Sequence, residues 1–351
     1  MDVPIVQGGM GVGISLFPLA ASVAREGGLG IISSAGLDLI VSKRKGKRVN
    51  SYEAAYEEVS LARESGGQHV GMNVMVALAR DYEDSVKGAI DAGAAAIISG
   101  AGLPLGLPLI SASKDTALIP IISSARALEI VCRKWEKAGR RPDAVVLEGP
   151  LAGGHLGFRI EEMDLGSNKL ENMLPLVKET ALRHGDFPVI VAGGIYSHGD
   201  IQRFLLMGAD AVQMGTRFLA TIESGASHEY KQAVVNATEE DIVVAYNPGS
   251  PCGLPFRVIR HSPMFVSALK KLRAPRCDKG YVLQKDTEGK FTKCAAKQDN
   301  EGYFCICNGL LSSSGYDSRE EPLFTCGTNA SRVDKIISVH DLMEELKHIS
   351  S

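Results

Sequence analysis

The chain has 351 residues, of which 45% are hydrophobic and 23% are charged, and its formal net charge is −3 at pH 7. This composition excludes a disordered chain and lacks the basic balance of nucleic-acid-binding proteins. The sequence shows neither an apolar stretch of transmembrane length nor a signal-peptide pattern. We therefore expect a cytoplasmic protein without membrane or nucleic-acid partners.

Eight short apolar runs alternate with amphipathic segments and predict strands. The runs are residues 4–7, 29–33, 69–73, 95–99, 119–123, 144–148, 188–192 and 211–214. The amphipathic segments predict helices over 52–65, 82–92, 125–138, 170–184 and 198–207. Strands that are apolar throughout are typical of a parallel sheet buried on both faces. Eight such units within about 220 residues favour a (β/α)8 TIM barrel over its competitor, a doubly wound sheet.

The pattern changes after the eighth strand. Residues 224–237 predict a helix, residues 250–256 (SPCGLPF) a turn rich in Pro and Gly, and residues 339–348 an amphipathic terminal helix. We therefore expect three parts: a barrel over 1–223, a helical segment over 224–275, and a C-terminal extension over 276–351 that packs on the barrel.

The extension contains five of the seven cysteines: Cys277, Cys294, Cys305, Cys307 and Cys326. Their spacing lacks the paired CxxC motifs of structural zinc sites, so we expect buried free thiols and no metal. Cys132 on a helix and Cys252 in a turn have no clear catalytic context in the sequence.

Glycine clusters after the seventh and eighth strands predict a phosphate site. Gly193-Gly194 follow one strand and Gly215-Thr216 the other. Their backbone N–H groups can approach a phosphate without obstruction, and the helix that begins after Thr216 adds the positive end of its dipole. Barrels recurrently bind phosphate at these two strands. A phosphate alone is compatible with FMN, a sugar phosphate or a nucleotide.

Other strand ends favour a large planar ligand. The Gly8-Gly9-Met10 segment lets a ring lie against backbone at the end of the first strand. Asn73, at the end of the third strand, offers both a donor and an acceptor, which suits the pyrimidine edge of a flavin. Gln7 and Gln213 are weaker candidates, because a single buried amide is more often satisfied within the core.

One of the eight histidines stands apart from the others. His155 follows Gly153-Gly154 in a glycine-rich loop directly after the sixth strand. Loops at this rim of a barrel carry the active site, and an imidazole exchanges protons near neutral pH. We therefore expect His155 to donate a hydrogen bond or to accept a proton.

These segments resemble nitronate monooxygenases, formerly called 2-nitropropane dioxygenases. The matching motifs are QGGMGVG at 7–13, GMNVM at 71–75, EGPLAGGHLGF at 148–158, VAGGI at 191–195 and VQMGTRFLAT at 212–221. The combination of AGGH with QMGTRF is specific, and the order of the motifs spans nearly the whole barrel. SPCGLPFR at 250–257 and TNASRVDKIISVHDLMEEL at 328–346 are similar to a bacterial subgroup with a C-terminal extension.

The resemblance implies an FMN-dependent enzyme that oxidises alkyl nitronates with dioxygen to a carbonyl compound and nitrite. It implies that His155 is the catalytic residue. It also implies an FMN site formed by Gly8, Gly9, Met10, Asn73, Gly153, Gly154, Gly193, Gly194, Gly215 and Thr216. Several relatives carry a Lys near the flavin after the fifth strand, whereas this chain has Ser123-Ser124-Ala125-Arg126 there.

The sequence leaves three alternative functions and the oligomeric state open. The flavin-dependent enoyl-[acyl-carrier-protein] reductases share the AGGH and QMGTRF motifs and reduce an enoyl thioester with NAD(P)H. Inosine-monophosphate-dehydrogenase-type barrels need a cysteine in the loop after strand six, and this loop has none. A flavin-binding sensor has the same cofactor but no turnover. A homodimer mediated by the C-terminal extension is the fourth open point.

Overall fold

The computed structural model describes most of the chain, namely residues 1–110, 113–271, 280–282, 287–288, 292, 294–299, 302–317 and 319–347. Its strands are β1 Ile5–Gln7, β2 Leu29–Ser33, β3 Val70–Met75, β4 Ala96–Gly100, β5 Ala117–Ile122, β6 Val145–Glu148, β7 Gly154–His155, β8 Val189–Ala192, β9 Ala211–Met214, β10 Ile242–Ala245 and β11 Phe256–Ile259. Its α-helices are α1 Phe17–Arg25, α2 Leu37–Lys45, α3 Ser51–Glu64, α4 Tyr82–Asp91, α5 Ala125–Glu136, α6 Leu170–Arg183, α7 His198–Leu206, α8 Thr216–Leu219, α9 His228–Val235, α10 Pro263–Leu269, α11 Ala295–Gln298, α12 Ile306–Ser313 and α13 Val339–Lys347.

Eight parallel strands close into a barrel in the order β1-β2-β3-β4-β5-β6-β8-β9. β1 pairs with β2 through Val6 and Leu29 and with β9 through Ile5 and Val212, so the barrel sheet has no open edge. All residues of β2 and β8 are buried, because side chains fill the barrel on the inside and helices cover it on the outside. The predicted TIM barrel is confirmed, and an open doubly wound sheet is excluded.

The predicted elements of the barrel are present with small shifts of their ends. Each predicted strand lies within two residues of its predicted bounds, and the five predicted helices correspond to α3 to α7. Two further helices, α1 and α2, were not predicted. Residues 19–24 of α1 are buried consecutively, so no polar face marks the helical period. The basic last turn of α2 ion-pairs with Glu57 of α3.

A second, antiparallel sheet in the order β10-β11-β7 connects the loop after β6 to the chain that follows the barrel. Phe256 pairs with His155, and Arg257 pairs with Gly154. The predicted turn over 250–256 is therefore wrong at its last residue, which begins a strand. The predicted helix over 224–237 is shorter in the structure, because Ser227 caps it by accepting a hydrogen bond from the Tyr230 amide.

The C-terminal extension packs on the barrel, as the sequence predicts. Helix α13 buries Val339, Leu342, Met343 and Leu346 and packs against α1. The Val339 amide donates a hydrogen bond of 2.9 Å to the carboxylate of Glu223. The last residue of the helix predicted over 339–348 lies outside the described residues. Within the described parts of the chain, no helix is long and apolar enough to cross a membrane.

Candidate active site

A cavity of about 450 Å³ opens at the carboxyl ends of the barrel strands. All the residues that the sequence singles out for the site line this cavity: Gly8, Gly9, Met10, Asn73, Gly153, Gly154, His155, Gly193, Gly194, Gly215 and Thr216. Cavities of this size at this end of a barrel are typical of active sites. The fold thus brings residues from five strand ends into one cavity, and their individual roles stay predictions.

A glycine cradle, formed by Gly193, Gly194, Gly215 and Thr216, lines the part of the cavity where the sequence predicts a phosphate. The φ angles of Gly193 and Gly194 are +96° and +79°, which side chains rarely adopt. A Cβ atom on Gly193 would lie 3.0 Å from the backbone nitrogen of Ala152. Gly193 and Gly194 therefore have a backbone conformation that other residue types rarely adopt. Helix α8 after it has four residues, so its dipole contributes less than the sequence suggests.

Arg217 also lines the cavity, and our sequence analysis did not assign it a role. Its guanidinium lies 4.4 Å from the ring centre of Tyr196, donates to the Tyr196 carbonyl at 3.2 Å, and ion-pairs with Glu345. Glu345 of the extension therefore holds a cation that lines the same cavity as the glycine cradle. Its position immediately after Thr216 in the chain is the signal that identifies it.

The two glutamines at strand ends differ in how well they are satisfied. Gln7 is fully buried, donates to the Ser15 hydroxyl at 2.9 Å and accepts from the Ile31 amide at 3.0 Å. The Oε1 atom of Gln213, by contrast, is buried without a hydrogen-bond partner among the described residues, and Gln213 lines the cavity. Buried acceptors in native proteins are nearly always satisfied. Gln213 is thus matched to a ligand donor, whereas Gln7 serves the core.

Asn73 lies beside the first strand end. A Cβ atom on Gly9 would fall 2.3 Å from the Cβ atom of Asn73, so only glycine allows these two strand ends to approach so closely. The amide of Asn73 and the orphaned Oε1 of Gln213 both border the cavity. A flavin pyrimidine edge carries an N–H donor and carbonyl acceptors and satisfies both groups. The residues present therefore fit a flavin.

His155 is held by a segment more than ninety residues later in the chain. Its Nε2 atom lies 3.0 Å from the hydroxyl of Ser250. The ring of Phe256 packs edge-on against the imidazole, with ring centres 4.6 Å apart. A Cβ atom on Gly153 would come within 2.7 Å of the Gly327 nitrogen, so the backbone of the extension packs closely against this loop. The histidine is at the cavity where the sequence placed it, and both its ring contacts come from residues after the barrel.

Two ionisable side chains, Arg257 and Glu148, are close to the loop that carries the histidine. Arg257 is buried and donates to the carbonyls of Pro150 and Ala152, which fixes the loop between β6 and β7. Burial raises the pKa of the Glu148 carboxyl to about 7, although the positive charge of Arg257 acts in the opposite direction. Glu148 lines the cavity, so a carboxyl that is partly neutral at pH 7 borders the site. Neither residue was assigned a role from the sequence.

Cys252 has a context that the sequence did not reveal. Its Sγ atom lies 2.9 Å from the Ser250 hydroxyl, which in turn contacts His155. Burial alone raises the pKa of the Cys252 thiol, but the charge and hydrogen bonding of His155 outweigh it and lower the pKa to about 7. The turn that contains Cys252 therefore belongs to the environment of the histidine.

Ser123 begins the segment after the fifth strand in which several relatives carry a lysine. Its hydroxyl donates to the Gly157 carbonyl at 2.9 Å, and Ser123 lines the cavity. Arg126, the nearest cation in this segment of the sequence, is exposed and is not part of the cavity lining. This side of the cavity is therefore closed by neutral groups of the described chain.

Cys132, Cys252 and Cys326 are free thiols. Cys294, Cys305 and Cys326 are buried and Cys307 is half-buried, whereas Cys277 lies outside the described residues. In the described part of the chain, the grouping with suitable metal-ligand geometry consists of Glu26, His340 and Glu344 rather than cysteines. The ammonium of Lys347 lies 3.1 Å from the Glu26 carboxylate, which already balances that surface charge.

Comparison with known proteins agrees with the geometry. A family model described as nitronate monooxygenase matches residues 1–348. A protein from Staphylococcus aureus strain MSSA476, named as a probable nitronate monooxygenase, is 28% identical in an alignment of length 281 that covers 70% of this chain and 72% of that protein. A second relative, from strain MRSA252, has the same name, identity and coverage.

Two solved structures share the fold. FabK from Thermotoga maritima is 27% identical, with a TM-score of 0.72, and the match covers 99% of this chain and 92% of that one. Nitroalkane oxidase from Streptomyces ansochromogenes is 23% identical, with a TM-score of 0.68 and coverages of 98% and 94%. The second likeness shows the fold alone. Both matches include the chain that follows the barrel, so the extension is part of the shared architecture.

Proposed function

Because the chain belongs to the nitronate monooxygenase family and is a flavin-dependent oxidoreductase, we propose that it binds FMN and oxidises alkyl nitronates with dioxygen, forming a carbonyl compound and nitrite. The observation that best supports this proposal is the position of His155 in the same cavity as the glycine cradle. Such a cavity can hold a phosphate at one end and present an imidazole to a reacting centre at the other.

Each part of FMN has matching groups in the cavity. Backbone N–H groups of the glycine cradle receive the phosphate, and the Arg217 guanidinium complements its charge. Asn73 and the orphaned Oε1 of Gln213 receive the polar edge of the ring. The backbone of Gly8 and Gly9 lets the ring lie close to β1. When bound, FMN accepts electrons from the substrate and passes them to dioxygen.

In this proposal His155 orients the substrate and handles its proton. A nitronate is already an anion, so the imidazole donates a hydrogen bond to one of its oxygens. A neutral nitroalkane must first lose its α-proton, and the imidazole accepts that proton. Nε2 lies 3.0 Å from the Ser250 hydroxyl, and in this proposal Nδ1 is the nitrogen that meets the substrate.

A second candidate function is FMN-dependent reduction of an enoyl thioester by NAD(P)H. The 27% identity to FabK over nearly the whole chain favours it. In this function the cavity and the cradle serve the same cofactor, but the electrons come from a nicotinamide. A flavin-binding protein without turnover binds FMN and responds to neither electron donor.

Anaerobic mixing of the FMN-loaded protein with each donor separates these functions. We expect a nitronate such as that of 2-nitropropane to bleach the flavin absorbance rapidly, while NADH and NADPH leave it nearly unchanged. Rapid bleaching by a nicotinamide and inertness toward nitronate would instead establish the reductase. Free FMN with each donor serves as the control for bleaching that does not involve the protein.

A further inference from the structure

We propose that Cys252, acting through the hydroxyl of Ser250, is a positioning residue that supplies the negative counter-charge for the protonated imidazole of His155. The inference rests on the proposed function for the step in which His155 accepts a substrate proton. The arrangement of the three side chains itself is independent of that function. It assigns a role to a cysteine that no motif in the sequence marks as reactive.

The three side chains form a continuous hydrogen-bonded row. The Ser250 hydroxyl oxygen lies 3.0 Å from Nε2 of His155 and 2.9 Å from Sγ of Cys252. The hydroxyl also accepts a hydrogen bond of 3.3 Å from the Cys252 amide, and Ser250 is 1% exposed. Since a hydroxyl has one proton, Ser250 donates to only one of its two side-chain partners at a time. The Ser250 proton therefore points either to Nε2 of His155 or to the sulfur of Cys252. A protonated thiol requires Nε2 to be unprotonated, and a thiolate requires Nε2 to carry a proton.

Proton movement along this row balances without any other reactant. When the thiol donates to Ser250 and Ser250 donates to Nε2, both end groups are neutral. Moving each proton one step breaks an S–H and an O–H bond and forms an O–H and an N–H bond. The result is a thiolate at Cys252 and an imidazolium at His155, with the net charge unchanged.

The same row prepares His155 to act as a base at Nδ1. When the row has released one proton to solvent, Cys252 is the thiolate, Ser250 donates to the sulfur and Nε2–H donates to Ser250, so Nδ1 carries the free electron pair. Transfer of the α-proton of a nitroalkane then breaks a C–H bond, forms the Nδ1–H bond and leaves the electron pair on the nitronate. The thiolate stabilises the resulting imidazolium, as the carboxylate does in a catalytic triad.

The surroundings of Cys252 favour its thiolate. Burial raises the pKa of the Cys252 thiol, but the charge of His155, a hydrogen bond between His155 and the thiol itself, and hydrogen bonds from Ser250 and the Leu254 amide lower it to about 7. Among the described residues, His155 is the titratable group that acts on this thiol. Arg257, on the adjoining strand β11, is turned to the Pro150 and Ala152 carbonyls instead.

Two other thiols show that this environment is particular to Cys252. Burial raises the pKa of Cys132 and of Cys326 to about 12. Cys132 lies on α5, away from the cavity lining, and Cys326 lies in the extension. Both therefore serve as internal controls for an experiment that reads thiolate formation.

The first test measures alkylation of the native protein by iodoacetamide at a series of pH values, with peptide mass spectrometry to separate the cysteines. We expect half-maximal reactivity of Cys252 near pH 7 and no modification of Cys132. In His155→Ala and in Ser250→Ala the half-maximum should move to about 8.5 or higher, so that the rate at neutral pH falls roughly tenfold. Half-maximal alkylation of Cys252 at about pH 8.5 in the wild type, or a half-maximum that neither substitution changes, would overturn the inference.

The second test compares anaerobic flavin reduction by a neutral nitroalkane with that by its preformed nitronate. In Cys252→Ala and Cys252→Ser the ratio of the two rates should fall roughly tenfold, because only the nitroalkane requires proton removal. The serine variant keeps the size of the side chain but not an acidic thiol, so wild-type behaviour of this variant would contradict the inference. Shifted alkylation profiles without reduction by either substrate would instead refute the proposed function and leave the Cys252 assignment standing.

Discussion

The two ends of the cavity are built in different ways. The glycine cradle comes from two consecutive strand–loop units, and its groups lie within about 25 residues of one another in the sequence. The histidine end depends on pairing between β7 and β11, on Ser250 and on the backbone of Gly327. The residues of the cradle can be read as a local motif, although Thr216 accepts a hydrogen bond from the Gly327 amide, whereas the contacts of His155 come from residues far away in the chain. Cofactor binding and reactivity should therefore be separable by substitution.

His155→Ala should separate cofactor binding from reactivity most strongly. The glycine cradle is untouched, so FMN should remain bound, while anaerobic flavin reduction by nitronate should slow by about 10²–10⁴-fold because the hydrogen-bonding imidazole is lost. Stopped-flow absorbance of the loaded protein gives the rate. His228→Ala, an exposed histidine at the start of α9, is the matched control. Unchanged reduction in the His155 variant would remove this residue from the reaction.

Arg257→Met should weaken the histidine end without removing any group that faces the substrate. Charge-assisted hydrogen bonds to Pro150 and Ala152 are lost, and the free energy of unfolding should fall by about 3 kcal/mol. Denaturant unfolding measures this change. Arg260→Met, an exposed arginine directly after the same strand, should cost less than about 0.5 kcal/mol. Equal losses in the two variants would show that Arg257 does not hold the loop.

Glu148→Gln should change how stability depends on pH. The carboxyl has a pKa near 7 in the folded chain and an ordinary value of 4.5. Between these values the folded protein holds a proton that the unfolded chain has released, so stability falls as pH rises through this window and is level above it. Glutamine removes this dependence.

The free energy of unfolding of Glu148→Gln, minus that of wild type, should therefore rise by about 2 kcal/mol between the lower and the upper pH of this window. The change is smaller than the full pKa shift implies, because water in the cavity screens part of the burial. Urea unfolding of both proteins at several pH values measures the difference, in which contributions of all other groups cancel. Parallel pH profiles of the two proteins would show that Glu148 ionises as an ordinary carboxyl.

The smallest effect is expected from Gln213→Leu at the cofactor end. Removing an unsatisfied buried acceptor should stabilise the protein without FMN by about 1 kcal/mol and weaken FMN binding roughly tenfold. Gln7→Leu is the matched contrast, because its carbonyl already accepts from Ile31 and its loss should destabilise the fold. Thermal unfolding and FMN titration distinguish the two. An FMN affinity unaltered by Gln213→Leu would exclude contact between this amide and the ring.

The sequence predicts the barrel well, because strands such as β8 are uninterrupted apolar runs followed by glycine. It does not predict α1, whose consecutive buried residues hide the helical period. It also misses β7, a two-residue strand that exists only because β11 pairs with it. For the same reason Ser250, Cys252 and Arg257 received no role, since no local pattern reports which distant loop they contact.

A crystal structure of the protein loaded with FMN tests the central claim most directly. We expect density for the phosphate against Gly193, Gly194 and Gly215, and an isoalloxazine ring whose reactive face lies next to the imidazole of His155. A flavin whose phosphate lies elsewhere, or whose ring is separated from His155 by protein, would contradict this account of the cavity.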